Sequence, residues 1–332
     1  MSKKIICLVL FLALAAGFLA PVSLADEKKI SVVATIFPIY DWVREIVSEN
    51  DNVQITLLLD SGVDLHSYQP TAVDIMKIAA CDVFIYVGGE SDDWVENVLR
   101  EAVAPNMIVI DLLEAMGDEV KAEEIIEGME HEDHDEDEHD RGEHDEDHHH
   151  EHEDEADEHV WLSLRNAQKL VNVISSHLAE ADPAHAESYR DNASAYNQRL
   201  SELDREYEQA VSEAAFHTML FGDRFPFRYM ADDYGLSYYA AFSGCSAETE
   251  ASFQTVVFLA QKTDELGLKT VLTIEGTDHR IAETIVAATD AKDQKILTLD
   301  SMQGCTMRDV RDGVTYLSVM QKNLEALKQA LN

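Results

Sequence analysis

Basic residues are scarce in this chain. Lys and Arg number 25 against 65 Asp and Glu, a formal charge of −40 with His neutral. A phosphate-backbone binder needs the opposite balance, so nucleic acid is excluded as a partner. Docking on anionic lipid through a polybasic face is disfavoured for the same reason. Linear signatures of catalysis are also missing: there is no His-Glu-x-x-His, no Gly-x-Ser-x-Gly elbow and no phosphate loop. Long apolar runs are confined to one place. Lys3 and Lys4 precede the run Ile5 to Leu19, followed by Ser23-Leu-Ala25. This reads as a secretory signal peptide over residues 1–25, the alternative being an uncleaved anchor. Cys7 lies inside the run, not after it, so it does not mark a lipoprotein cleavage site.

Cysteine is rare as well, with 4 in the whole chain. Export permits disulfides. Cys81 sits where a helix end runs into an apolar strand and reads as a small core residue. Cys245 and Cys305 each stand in a Gly-Cys-Ser/Thr loop, and we expect them to pair, the alternative being two free thiols.

What the chain does have is 46% hydrophobic residues, enough for a substantial core. Strands are expected at 30–36, 53–59, 83–87 and 107–111, alternating with helices at 38–48, 70–80 and 92–103. That alternation indicates βαβ units and a parallel sheet. Residues 118–158 break the pattern: almost nothing apolar follows Met129, and 130–158 hold 18 acids against one Arg. A solvated insert is expected there. After a helix from Leu164 to Ala181, Asp182-Pro183 reads as a cap and first turn. No Gly or Pro then interrupts 184–215, where Tyr189, Ala193, Tyr196, Leu200, Leu203 and Tyr207 recur at helical spacing. One rod of about 30 residues, on the order of 45 Å, suits a strut between two lobes. Alternation resumes with strands at 218–222, 236–241, 270–274 and 296–299. The expected organisation is an α/β fold of two lobes with parallel sheets: 26–181, a linking helix 182–215, and 216–332. Trp42, Trp94 and Trp161 read as core residues, and His177, His185 and His279 as surface residues.

Two groups of residues point to metal. His131, His134, His139, His144, His148, His149, His150 and His152 are interleaved with carboxylates. Imidazole with carboxylate suits zinc and similar ions, here held loosely and in a pH-dependent way. A plain solvated charge run would not need His. The second group is ordered. His66 lies between a strand end and a helix start, where ligands gather in open α/β sheets. His159 stands where the apolar order resumes at Val160-Trp-Leu162.

These residues also carry a resemblance. Val33-Ala-Thr-Ile-Phe-Pro-Ile-Tyr40, His66-Ser-Tyr-Gln-Pro-Thr-Ala-Val-Asp74 and Asp157-Glu-His-Val-Trp-Leu-Ser163 resemble motifs of the zinc/manganese solute-binding proteins of ABC importers. Tyr234-Gly-Leu, Ala247-Glu-Thr-Glu-Ala-Ser252 and Leu297-Thr-Leu-Asp300 resemble their second-lobe elements. The resemblance implies two lobes bridged by a rigid helix, with metal in the cleft between them. It implies His66 and His159 as first-lobe ligands and Asp300 as a second-lobe ligand. At the third position the chain departs from the pattern. Counting back from Tyr234 puts Arg224 there, and a guanidinium does not ligate metal. Asp223 is the nearest usable group, with His217 or a water as substitutes. Glu275, at a strand end, would orient a ligand from outside.

The implied function is the zinc-binding subunit of an importer, exported to the periplasm or the outer face of the membrane. It would act as a monomer that delivers zinc to a membrane permease and catalyses nothing. The His-rich insert favours Zn2+ over Mn2+. The rivals are a manganese or iron carrier of the same fold, a zinc-dependent hydrolase, and a zinc buffer or surface adhesin.

Overall fold

The computed structural model describes residues 29–48, 50–101, 104, 106–130, 155–246, 250–276 and 278–332. The expected signal peptide and the eight His from His131 to His152 lie outside the described residues.

The first lobe runs β1 (Ile30–Ala34), α1 (Phe37–Val47), β2 (Val53–Leu57), α2 (Ala72–Ala80), β3 (Val83–Tyr86), α3 (Asp93–Glu101), β4 (Ile108–Asp111) and the short α4 (Leu112–Met116). Two helices follow, α5 (Leu164–Ala181) and α6 (Ala186–Ser212). The second lobe runs β5 (Thr218–Arg224), α7 (Arg228–Tyr234), β6 (Ser237–Phe242), α8 (Phe253–Leu266), β7 (Thr270–Ile274), α9 (Arg280–Ala288), β8 (Lys295–Leu299), α10 (Met307–Arg311) and α11 (Tyr316–Ala330). Among the described residues no helix is long and apolar enough to cross a membrane.

Each lobe has a four-stranded sheet, all its pairings parallel, in the orders β2-β1-β3-β4 and β6-β5-β7-β8. β-branched runs with helices on both faces, such as the fully buried Thr270–Ile274, explain the parallel choice. In both lobes the crossover direction reverses beside the first strand. The carboxyl ends of β1 and β3, and of β5 and β7, therefore flank a crevice suited to a ligand. Local signals fix the helix starts. Thr71 and Asp74 form a reciprocal capping box on α2, and Ser163 caps α5 by accepting from Asn166 N–H.

The linking helix is 27 residues, about 40 Å long. Its buried face is the expected set from Tyr189 to Tyr207, extended to Val211. It touches both lobes: Asn192 donates to the Ile46 carbonyl in α1, and the Tyr207 hydroxyl donates to the Met320 carbonyl in α11. One apolar core runs through both sheets and this helix. Asp182-Pro183 is not the helix cap. The pair forms a turn, and the Asp182 carboxylate accepts from Tyr189 Oη and faces His185 Nδ1 at 2.8 Å. Side chains, not an amide at the helix start, thus occupy the Asp182 carboxylate.

The expected insert 118–158 is narrower than its composition implies. Ala122 and Ala156 form an antiparallel bridge, Asp157 N–H donates to the Lys121 carbonyl, and Glu130 N–H donates to the Ala241 carbonyl of β6. Charge density hid these anchors, because the polar side chains pair with backbone and with the other lobe.

Candidate metal centre

His66 is delivered by a single 3-10 turn, Leu65–Ser67, after β2. Buried Leu65 anchors the turn, and Asp64 caps it by accepting from the His66 N–H at 3.0 Å. The ring is fixed from behind: Nδ1 lies 2.7 Å from Ser91 Oγ and 3.5 Å from Glu158 Oε2. Glu158 reaches that place because the turn after β3 has no side chain in the way. A Cβ on Gly89, at φ +79, would meet Glu158 Oε1 at 2.5 Å.

His159 is fully buried and opens the 3-10 turn Val160–Leu162. Asp157 Oδ1 accepts from both its backbone N–H, at 2.9 Å, and its Nδ1–H, at 3.0 Å. With Nδ1 protonated, the Nε2 lone pair is left available, the arrangement that orients metal-binding imidazoles. The second lobe braces this segment, since the Tyr229 hydroxyl donates to the Asp157 carbonyl. The two Nε2 atoms stand 3.2 Å apart although 93 positions separate them in sequence. Burial, then the neighbouring His159 and Arg224, pushes the His66 pKa down to about 3, so its ring is neutral at physiological pH. A neutral ring is the form that binds metal.

The second lobe brings a thiol to the two imidazoles. Among the described residues His66, His159 and Cys245 form a group whose ligand atoms all lie within 4.8 Å of one another. Cys245 follows β6, with its N–H donating to Glu123 Oε1 at 2.8 Å. Gly244 lets the loop come close: a Cβ there would stand 3.0 Å from the Phe225 carbonyl oxygen and 3.1 Å from His159 Cε1. The expected Cys245–Cys305 disulfide is not formed, and Cys81, Cys245 and Cys305 are all free thiols. Cys245 lies with the imidazoles, whereas Cys305 lies in the field of Asp300 and Glu275.

The other expected residues have different work. The Asp223 carboxylate accepts from Ile274 N–H and from Arg224 N–H, so it ties β5 to β7 and is not in the ligand group. Arg224 bonds Asp64 at 2.6 Å and the Ser246 carbonyl at 3.2 Å, joining the two lobes beside His66. The Gln303 amide, with its nitrogen toward Asp64, donates to both carboxylate oxygens, at 2.7 and 2.9 Å. Asp300 accepts from Met302 N–H and lies outside the 4.8 Å group; burial and the adjacent Glu275 raise its pKa to about 6. Glu275 accepts from Ser301 N–H, Ser301 Oγ and Gln303 N–H, so it holds the loop after β8 and touches neither imidazole through these bonds. His217 sits at the amino end of β5, where its carbonyl accepts from Ser237 N–H.

Sequence reasoning missed Cys245, Asp157, Ser91 and Gln303. Asp157 could have been found as the acid two residues before a buried His. The others come from separate loops, and only the folded crevice gathers them.

Comparison with known proteins agrees with this architecture. The chain is 28% identical over 302 residues to a zinc-binding protein, AdcA, of Streptococcus pyogenes, covering 91% of this chain and 56% of that protein. It thus spans about half the length of that relative. It is 29% identical to the high-affinity zinc uptake system protein ZnuA of Bacillus subtilis, covering 92% of this chain and 90% of the relative. Among solved structures, the metal-dependent lipoprotein YcdH of Bacillus subtilis matches at TM-score 0.71 and 25% identity, over 92% of this chain and all of the other. The Zn(II)-bound ZnuA-like domain of Streptococcus pneumoniae AdcA matches at TM-score 0.68 and 28% identity, over 91% of this chain and 99% of that one. The model of the ZnuA family, the periplasmic component A of zinc-uptake complexes, matches residues 32–330, and the chain belongs to that family.

Proposed function

We propose that this protein is the extracytoplasmic zinc-binding subunit of an ABC importer. It takes Zn2+ as cargo between its lobes and passes it to a membrane permease, with no reaction catalysed. The observation that carries this reading is the 3.2 Å separation of His66 Nε2 and His159 Nε2. Two nitrogens bound to zinc at about 2.0–2.1 Å and a tetrahedral angle stand about 3.3–3.4 Å apart. Family membership and the zinc-binding names of the relatives support the same cargo. The His and acid tract at 131–152 serves as a loose collector, and its imidazoles favour zinc over manganese.

Release requires the lobes to part. Trp161, two residues past His159, bonds the Ser301 carbonyl of the second lobe, and Arg224 bonds Asp64 across the cleft. A permease that pulls on the second lobe would strip these contacts and open the site. The test is chelator competition for zinc, manganese and iron(II) on protein whose residues 131–154 are replaced by a short Gly/Ser linker. One tight zinc equivalent, with manganese much weaker, is the expected result. Manganese or iron(II) binding tighter than zinc would make the protein a carrier of that ion, and no tight site at all would end the reading.

A further inference from the structure

We propose that the Cys245 thiolate is the second lobe's metal ligand, completing a His66–His159–Cys245 set that selects thiophilic divalent ions. The inference rests on the zinc-carrier reading above and specifies the donor on the second lobe, where the resemblance pointed to Asp300 and Asp223.

Four observations converge on the sulfur. Its position closes a group of three ligand atoms within 4.8 Å, one nitrogen from each imidazole and the sulfur, and the two rings also face each other through Nε2 at 3.2 Å. Gly244 eases the approach, since a Cβ there would stand 3.0 Å from the Phe225 carbonyl oxygen and 3.1 Å from His159 Cε1, and those neighbours would have to give by a few tenths of an ångström. Cys245 forms no disulfide, and its backbone is fixed by the Glu123 carboxylate. The aspartates that the resemblance suggested are outside this group: Asp223 accepts from the β7 backbone and Asp300 from Met302 N–H, while Asp64 pairs with Arg224. At the place where the resemblance expects a third ligand stands Arg224, whose cation instead clamps the Asp64 and Ser246 segments on either side of the set.

The chemistry is a ligand exchange. Zn2+ arrives hydrated, the Cys245 S–H bond breaks, the proton passes to solvent, and a Zn–S bond forms as water leaves. No electron is transferred. Two imidazoles and a thiolate suit zinc and cobalt(II), whereas manganese(II) prefers oxygen donors. Selectivity would then be built into the cleft itself, independent of the His-rich tract.

Cobalt(II) titration of the full chain reads the bond directly. A thiolate-to-cobalt charge-transfer band in the near ultraviolet should grow to one equivalent. The His-rich tract can bind cobalt but has no thiol to give that band. Cys245→Ser should remove the band and weaken zinc roughly tenfold or more in chelator competition. The triple variant Cys7→Ser, Cys81→Ser, Cys305→Ser leaves Cys245 as the one thiol and should keep the band, so the assignment does not depend on how Cys245→Ser folds. Cys245→Asp should narrow the preference for zinc over manganese. Tight cobalt binding without the band, or a band that survives Cys245→Ser, overturns this inference while leaving the zinc-carrier reading intact. Absence of any tight zinc or cobalt site overturns both.

Discussion

The Trp161 indole N–H donates to the Ser301 carbonyl at 2.9 Å, linking the turn that carries His159 to the residue after Asp300. The Tyr316 hydroxyl donates to the Trp161 carbonyl from the other side. The turn that carries His159 and the lobe interface are thus parts of one bonded network. Trp161→Phe removes the donor and leaves a buried carbonyl without it. We expect a loss of about 2–4 kcal/mol in urea unfolding, from the orphaned carbonyl and the lost ring volume. A change below about 0.5 kcal/mol, within the range of ordinary surface substitutions, would show that the contact does not hold the lobes.

Ser91 fixes the His66 ring through Nδ1. Outer partners of this type typically set affinity by 10–100-fold. Ser91→Ala should therefore weaken zinc by about that factor while leaving the fold intact by circular dichroism. Unchanged affinity would mean that Glu158, at 3.5 Å, holds the ring alone.

Gly244 is not at a positive φ, and its constraint is space. The nearest neighbour of an added methyl is the Phe225 carbonyl, which is backbone and yields little. Gly244→Ala should push the Cys245 loop away by a few tenths of an ångström, cost about 1–3 kcal/mol of stability, and weaken zinc binding. Calorimetry of unfolding with and without zinc separates the two effects.

Asp41 in α1 is fully buried and accepts from the Tyr316 N–H at the start of α11. Burial raises its pKa from 3.8 to about 6, against the pull of Arg44. The folded state therefore holds this proton more tightly than the unfolded chain. Its contribution to stability is present below pH 3.8 and falls as pH rises through 6, by on the order of 2–3 kcal/mol. Asp41→Asn cannot ionise, so its stability relative to the parent should improve from pH 4 to pH 7. Parallel urea midpoints across that range would contradict the assignment.

Most of the fold was legible because its signals are local. β-branched runs, capping residues and the uninterrupted 184–215 stretch each specify their own element, and strand limits moved by only a few residues. Two readings failed where local sequence was outweighed by distant contacts. Asp182 reads as a cap, yet Tyr189 and His185 claim its carboxylate. Cys245 and Cys305 read as partners from their matching loops, yet each joins a different cluster. His66 and His159 were visible through their motifs and their places at element boundaries. Cys245 was visible only as a thiol, because nothing along the chain records that its loop reaches a first-lobe imidazole.

The central claim is that His66 and His159 close on one zinc ion, and zinc stoichiometry tests it most directly. Protein with residues 131–154 replaced by a short linker should hold one zinc through exhaustive dialysis against a weak chelator. The same protein with His66→Ala and His159→Ala should hold none. Zinc retained by the double variant, or lost by the parent, would contradict the account.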